Sequence, residues 1–89
     1  METMTPPKKK PADPNLVPVR HVCFGTPVDF PGEQESSILC EPEPTEHGKS
    51  YTCVYVKDLG CFDITLYRAG KFAAVRLIPR EQVKRWERA

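Results

Sequence analysis

The most constraining feature of this sequence is the run from Tyr51 to Ile78, where three segments rich in β-branched and aromatic residues are separated by two turn signals. The first signal, Asp58–Gly60, suits a three-residue hairpin loop with its glycine in the left-handed conformation. The second signal, Ala69–Gly70, suits a two-residue hairpin loop. Together they predict a three-stranded antiparallel meander over residues 51–78.

The two turns also predict a register, because directly opposed residues in an antiparallel sheet share a face. The first turn sets Lys57 opposite Cys61, and the second sets Tyr67 opposite Phe72. One face then carries three apolar rows: Thr52, Leu66 and Ala73; Val54, Ile64 and Val75; Val56, Phe62 and Leu77. The reverse face carries Tyr51, Tyr67 and Phe72; Cys53, Thr65 and Ala74; Tyr55, Asp63 and Arg76. We therefore predict one core face and one face of aligned aromatic and charged residues.

The segments before Tyr51 have the composition of loops, because most of the ten prolines lie there. Residues 1–19 contain five of these prolines and the run Lys8–Lys10, with too little apolar sequence to offset the entropy of ordering. We predict a disordered tail over residues 1–19. Residues 20–89 should form a single small β domain, since a chain of this length allows only one modest core.

Two further segments precede the meander. Val17–Phe24 alternates apolar and polar residues and predicts a first strand, which Gly25–Pro27 should end. Residues 28–50 hold six carboxylates against one lysine, which indicates a solvated acidic loop. Within that loop, Ser37–Cys40 predicts a short strand.

Residues 79–89 predict a short helix, because Pro79 suits the first helical position and good helix formers follow it. Val83 and Trp86 would form its apolar face, with Trp86 docked on the sheet. A basic stripe at four-residue spacing would face outward: Arg80, Lys84 and Arg88. The predicted fold class is therefore mainly β, or α+β by strict count. It is a small antiparallel sheet or open barrel of four or five strands with a short C-terminal helix.

Cysteine and histidine are the residue types here that could support metal or redox chemistry. They are Cys23, Cys40, Cys53, Cys61, His21 and His47. The cysteines contain no C-x-x-C pair of the kind that structural zinc sites use. Cys61 would lie four ladder positions from Cys53 on the neighbouring strand, roughly 13 Å by strand rise, which is too far for a disulfide. A bridge from Cys53 to Cys23 or Cys40 stays open. We predict free, mostly buried thiols, no metal site and no cofactor.

Charge is segregated along the chain, with −5 on residues 21–50 and +4 on residues 51–89. No nucleophile elbow, phosphate loop, zinc-protease helix or dinucleotide fingerprint is present, so we predict no enzyme activity. We expect a non-catalytic protein-interaction module, such as an inhibitor or accessory subunit, acting through the acidic loop or the basic helix. The candidate partner-binding residues are Glu33, Glu35, Glu41, Glu43, Arg80, Lys84 and Arg88.

Two alternatives stay open. The first is a nucleic-acid-binding module that uses the basic C-terminal half and the aromatic sheet face. Its candidate residues are Lys8, Lys9, Lys10, Tyr51, Tyr67, Arg68, Lys71, Phe72 and Arg76. The second is a small metal-binding domain in which His21 and Cys23 share a strand face.

The longest apolar run, Phe72–Val75, has four residues and predicts no membrane-spanning segment, so we expect no membrane partner and a cytoplasmic location. Exposed edges on so short a sheet would allow a homodimer by edge pairing.

Overall fold

A computed structural model describes residues 13–89, and in that part of the chain the long strand β1 (Leu16–Phe30) pairs with three other strands. The other elements are β2 (Glu33–Leu39), β3 (Lys49–Val56), β4 (Cys61–Arg68), β5 (Lys71–Pro79), a 3₁₀ turn (Arg80–Gln82) and β6 (Val83–Arg88). Every pairing is antiparallel, in the order β2-β1-β3-β4-β5, with β6 also paired to β1. The strands form a half-barrel, which confirms the mainly β class.

Strand β1 changes its neighbours along its length. Leu16–Pro18 pair with β3, whereas His21–Phe30 pair with β2 and Val19–Phe24 pair with β6. Its register with β2 shifts between Cys23 and Val28. The strand therefore bends at an irregularity where the sequence predicts its end.

The predicted meander is confirmed as β3, β4 and β5, but its first hairpin has a different register from the prediction. Val56, rather than Lys57, opposes Cys61. The connecting loop therefore has one residue more than predicted. Gly60 does take the left-handed conformation, with φ of 63°, and its amide donates to the Val56 carbonyl at 2.9 Å.

The second hairpin has the predicted two-residue loop, in which Ala69 and Gly70 both have positive φ, 53° and 78°. Such a pair matches the twist of the flanking strands. Tyr67 opposes Phe72 as predicted, but the register shifts immediately afterwards. As a result Leu66 pairs with Ala74 instead of the predicted Ala73.

Alternate residues of a strand point to opposite faces of the sheet, so each one-residue shift exchanges the core-facing and solvent-facing residues of β3 or β5. The predicted core residues of β4, Phe62, Ile64 and Leu66, are fully buried. The core predicted on β3 and β5 is wrong, since these residues lie outside the buried cluster: Thr52, Val54, Val56, Ala73, Val75 and Leu77. Tyr51 and Cys53, predicted on the reverse face, are buried in their place.

The predicted C-terminal helix is also wrong, because residues 83–88 form strand β6. Trp86 pairs with Val22 of β1, and its ring packs 5.5 Å from that of Tyr55 and 5.2 Å from that of Phe62. Tertiary packing therefore outweighs the weak helix propensity of this short segment. The predicted docking of Trp86 on the sheet is confirmed.

The predicted boundaries of the N-terminal half need correction. Residues 16–19 belong to β1, so the predicted tail reaches too far, and residues 1–12 lie outside the described part. The predicted acidic loop over residues 28–50 includes all of β2 and the ends of two other strands. The short strand predicted at Ser37–Cys40 corresponds to the end of β2.

Candidate functional site

The meander and the start of β1 carry a second surface on the side away from the core, which we name the outer face. Its central row sets Pro18 beside Val54, Val54 beside Asp63, and Asp63 beside Leu77. The register places these residues on the outer face: Leu16, Pro18, Ser50, Thr52, Val54, Val56, Cys61, Asp63, Thr65, Tyr67, Phe72, Val75, Leu77 and Pro79. Ser50 and Cys61 are the buried members of this set. The outer face lies opposite the buried Tyr51, Ile64 and Leu66.

Large apolar side chains on the outer face are open to solvent. The exposed fractions are 39% for Leu16, 42% for Val75, 59% for Leu77 and 64% for Phe72. The solvent side of an antiparallel sheet is usually polar. Contiguous exposed apolar residues instead mark an interaction surface.

Asp63 is the one charged residue of the outer face. It is half-buried, and it forms no ion pair with any residue between 13 and 89. Its neighbours across the sheet are Val54 and Leu77. Since it has no ion pair of its own in the described residues, this carboxylate is available to a cation that a partner supplies.

A groove of about 540 Å³ opens beside Asp63. Thr52, Val54 and Thr65 of the outer face line it, together with Glu41 and Pro42 from the segment after β2. Its volume falls within the range of about 300–1,000 Å³ that is typical of ligand sites. The groove therefore extends the outer face into a concave site whose lining carries the carboxylates of Asp63 and Glu41 and the guanidinium of Arg20.

Cys40 and Cys53 also line this groove, where the Cys40 thiol donates to the Ile38 carbonyl and the Cys53 thiol donates to the Val54 carbonyl, each at 4.0 Å. The side-chain interaction with Cys53 lowers the pKa of the Cys40 thiol, whereas burial and the nearby Glu41 oppose this shift. The interaction with Cys40, together with burial, raises the pKa of the Cys53 thiol. All four cysteines are free thiols, and three of them are buried.

The geometry does not bring metal ligands together. Cys23 Sγ lies 4.0 Å from His21 Nε2, so these two predicted neighbours are close. Between residues 13 and 89, however, no three His, Cys, Asp or Glu side chains form a group that could hold a metal ion.

Two of the predicted partner-binding carboxylates are engaged within the fold. Lys49 Nζ lies 3.1 Å from Glu33 Oε1 and 2.9 Å from Glu35 Oε2, and the Tyr51 hydroxyl donates to the same Glu35 oxygen at 2.7 Å. Burial alone would raise the pKa of Glu35, but the hydrogen bonds from Tyr51 and Lys49 and the charge of Lys49 lower it. Glu41 and Glu43 are exposed in the loop between β2 and β3.

The predicted basic stripe is not formed. Arg80 lies in the 3₁₀ turn, whereas Lys84 and Arg88 lie on β6. All three side chains are exposed, but no helix sets them at four-residue spacing on one side.

Three of the predicted nucleic-acid residues have other roles in the fold. Tyr51 is buried against Phe30, at 5.1 Å between ring centroids, so the predicted aromatic row is broken. Arg68 donates to the Pro31 carbonyl at 2.7 Å, and Arg76 donates to the Asp29 carbonyl at 2.9 Å. Tyr67, Lys71 and Phe72 keep at least part of their surface open. Lys8, Lys9 and Lys10 lie outside the described residues.

Sequence reasoning missed the outer face because it assigned Val54, Val75 and Leu77 to the core. A signal was present in the segment Tyr51–Val56, where both alternating sets are largely apolar. A strand with two apolar sides indicates that both faces of the sheet contact something.

No protein-family model matches this chain, and neither a curated protein nor a solved structure matches it significantly. Over residues 13–89, no helix has the length and apolar character needed to cross a membrane.

Proposed function

We propose that this protein is a small non-catalytic interaction module that binds a segment of another protein on its outer face. The observation that carries the proposal is the exposure of Leu77, Phe72 and Val75 on one sheet surface. Burying such side chains against a partner contributes about 25 cal/mol for each Å² of apolar surface removed from water. Single exposed apolar residues are common on protein surfaces, but several on one face of a sheet indicate a binding surface.

The chemistry of the site selects the kind of partner. Asp63 lies between Val54 and Leu77 without an ion pair in the described residues. Glu41 and Arg20 also line the adjoining groove, so its lining side chains carry two carboxylates against one guanidinium. A peptide segment with aliphatic side chains around one lysine or arginine complements this arrangement in both apolar surface and charge. Two copies of this chain joined through the outer face about a two-fold axis near Asp63 would bring like charges together, which disfavours self-association.

Two other contact surfaces have weaker support. Glu33 and Glu35 already form ion pairs with Lys49. Of the four carboxylates predicted to bind a partner, this leaves Glu41 and Glu43 in the loop between β2 and β3. A nucleic-acid surface would need Arg68 and Arg76, whose guanidinium groups bind backbone carbonyls of this chain.

The test is selection from a random-peptide display library on the immobilised full chain. We expect enriched peptides to carry a basic residue flanked by aliphatic ones. Leu77→Asp should abolish their binding. Asp63→Asn should keep binding to the aliphatic residues while relaxing the requirement for the basic one.

The matched control is Leu59→Asp, because Leu59 is 68% exposed but lies in the loop between β3 and β4. This variant should bind the selected peptides as the unaltered chain does. Thermal unfolding of Leu77→Asp and of the unaltered chain is compared first, to show that the substitution leaves the fold intact. Peptides that then bind these two proteins equally would overturn the proposal. Binding to a single-stranded oligonucleotide that Leu77→Asp leaves intact would favour the nucleic-acid alternative instead.

A further inference from the structure

The outer face ends at β5, which pairs with β4 on one side and with no other strand in the described part of the chain. We propose that the partner segment adds to the free edge of β5 as a further strand, held by main-chain hydrogen bonds, with its side chains extending the outer face. The inference rests on the proposed function and adds the manner of binding. It depends on which main-chain groups of β5 point outward, on the side chains beside them and on the low charge of this edge.

The ladder between β4 and β5 identifies the main-chain groups that point outward. Opposed residues of an antiparallel pair alternate between exchanging both hydrogen bonds and directing these groups away from each other. The Arg80 amide donates to the Gly60 carbonyl at 3.0 Å, which fixes the phase of the alternation. Counting from that bond, Pro79, Leu77 and Val75 occupy the pairs whose main-chain groups point away from β4.

Two further observations agree with this assignment. Pro79 has no N–H group, and a proline inside a strand is tolerated where no ladder bond is needed. The Val75 carbonyl accepts a hydrogen bond from the Arg76 guanidinium at 2.9 Å, as expected of a carbonyl that points away from β4. A carbonyl oxygen has two lone pairs, so this contact leaves one for an incoming amide.

The residues with outward main-chain groups also have exposed side chains on the outer face. Val75 and Leu77 are both large, apolar and open to solvent. A strand added beside β5 would form hydrogen bonds with both residues and set its own side chains next to theirs. Asp63 follows Leu77 in the same row, roughly 10 Å from the added strand by two strand spacings. An extended lysine or arginine side chain spans most of that distance, which agrees with the basic residue expected in the partner.

Charge distinguishes β5 from the other strands that have a free edge. Charged side chains are a usual protection of a sheet edge against the addition of another strand. Strand β6 has four charged residues among its six, and β2 has two glutamates. Between Ala73 and Ile78, β5 has one charged residue, Arg76. Arg76 pairs with the buried Ile64 and so lies on the core side, where it donates to the Asp29 carbonyl.

A second copy of this chain fits the edge less well than a partner segment does. A two-fold pairing that uses Val75 and Leu77 of both copies would set Arg76 opposite its own copy. Like charges that are directly opposed destabilise a strand pair. A partner segment without a basic residue at that position avoids the repulsion.

The test uses the tightest-binding peptide from the display selection, synthesised with each backbone nitrogen methylated in turn. A methyl group removes the donor and blocks the close approach of two strands. The amides of an added strand alternate between facing β5 and facing solvent. Methylation should therefore weaken binding by at least about tenfold at every second position. The positions between them are the matched controls and should bind the full-length chain as the parent peptide does, measured by fluorescence anisotropy.

Amide hydrogen exchange locates the edge on the protein. In the free chain the amides of Val75 and Leu77 should exchange rapidly, whereas those of Arg76 and Ile78 are protected by their bonds to β4. The parent peptide should slow exchange at Val75 and Leu77. Arg76 and Ile78 are the controls on the same strand.

The outcomes separate this inference from the proposed function. A selected peptide that Leu77→Asp fails to bind, but whose binding tolerates a methyl group at every nitrogen, would overturn strand addition and leave the outer-face proposal in place. A selection that enriches no peptide dependent on Leu77 would overturn both. Protection on β2 or β6 in place of β5 would overturn the choice of edge. Protection of Val75 and Leu77 that rises with protein concentration alone would assign the edge to a second copy and overturn the inference as well.

Discussion

The Tyr51 hydroxyl lies 2.7 Å from Oε2 of Glu35 and joins β3 to β2, two strands that are not neighbours in the sheet. Lys49 Nζ binds the same carboxylate oxygen at 2.9 Å. Tyr51 is buried against Phe30. If Glu35 were removed, water could therefore replace it only in part as the partner of the Tyr51 hydroxyl. This contact holds the acidic strand β2 against the meander.

We expect Tyr51→Phe to lower the free energy of unfolding by about 1.5–3 kcal/mol, the usual contribution of a hydrogen bond to a charged group. Urea denaturation measures the change. Combined with Glu35→Gln in a double-mutant cycle, the two substitutions should show coupling, because Tyr51→Phe removes the hydrogen bond and Glu35→Gln removes the charge that strengthens it. Tyr67→Phe is the control, since the Tyr67 side chain makes no hydrogen bond to the described residues. Purely additive losses at Tyr51 and Glu35 would contradict the expectation.

The same contact predicts how stability depends on acid. The pKa of Glu35 in the folded chain is below its ordinary value of 4.5, so the unfolded chain binds the proton more readily. The stabilisation from Glu35 is therefore fully present above pH 4.5 and is lost as the pH falls through the lowered pKa. Glu35→Gln should flatten the stability curve in that range, measured by urea denaturation at a series of pH values.

A substitution in the exposed loop between β2 and β3 separates this effect from a general loss of negative charge. Glu43→Gln removes the same charge from an exposed side chain. Its stability should follow that of the unaltered chain throughout the acid range. If both substitutions flatten the curve equally, the pH dependence comes from overall charge rather than from the contact with Tyr51.

The meander could be predicted from sequence, but its register could not. Gly60 and the Ala69–Gly70 pair identify the two turns correctly. The loop before Cys61, however, is one residue longer than the three-residue loop predicted, and Ala73 is an extra residue on β5. Alternation normally corrects such errors, because a slip exposes the apolar set. Here it could not, since β3 is apolar on both sides.

Two leucines of the meander test the observed register directly. The sequence predicts that both Leu66 and Leu77 lie in the core, but Leu66 is fully buried and Leu77 is 59% exposed. Leu66→Ala should therefore lower the free energy of unfolding by about 2–5 kcal/mol. Leu77→Ala should change it by no more than about 0.5 kcal/mol. Similar losses for both variants in urea denaturation would support the predicted register instead.

The candidate site was hidden from sequence for a related reason. The carboxylates of Glu33 and Glu35 look available in the sequence, yet their partner Lys49 is supplied by a separate strand. Asp63 looked like half of a cross-strand pair with Arg76, but the register places it beside Leu77. Which charges are free depends on strand pairing, which local patterns do not specify here.

The C-terminal segment shows the same dependence on tertiary contacts. Helix propensity is a weak preference, and a segment this short has little helical stability of its own in water. Strand β6 instead packs the Trp86 ring against both Tyr55 and Phe62, whose own rings contact each other at 4.8 Å between centroids. Aromatic pairs of this geometry contribute beyond the area that they bury.

We expect Trp86→Ala to lower the free energy of unfolding by about 2–4 kcal/mol, somewhat below the loss for a fully buried ring because Trp86 is half-buried. Trp86→Phe should recover more than half of that loss, since a smaller ring still contacts Tyr55. The control is Glu87→Ala on the same strand, where the side chain is exposed and should contribute little. Urea denaturation followed by far-ultraviolet circular dichroism measures all three variants. If Trp86→Ala were as stable as Glu87→Ala, the segment would not be packed on the core, and the strand pairing of β6 with β1 would be wrong.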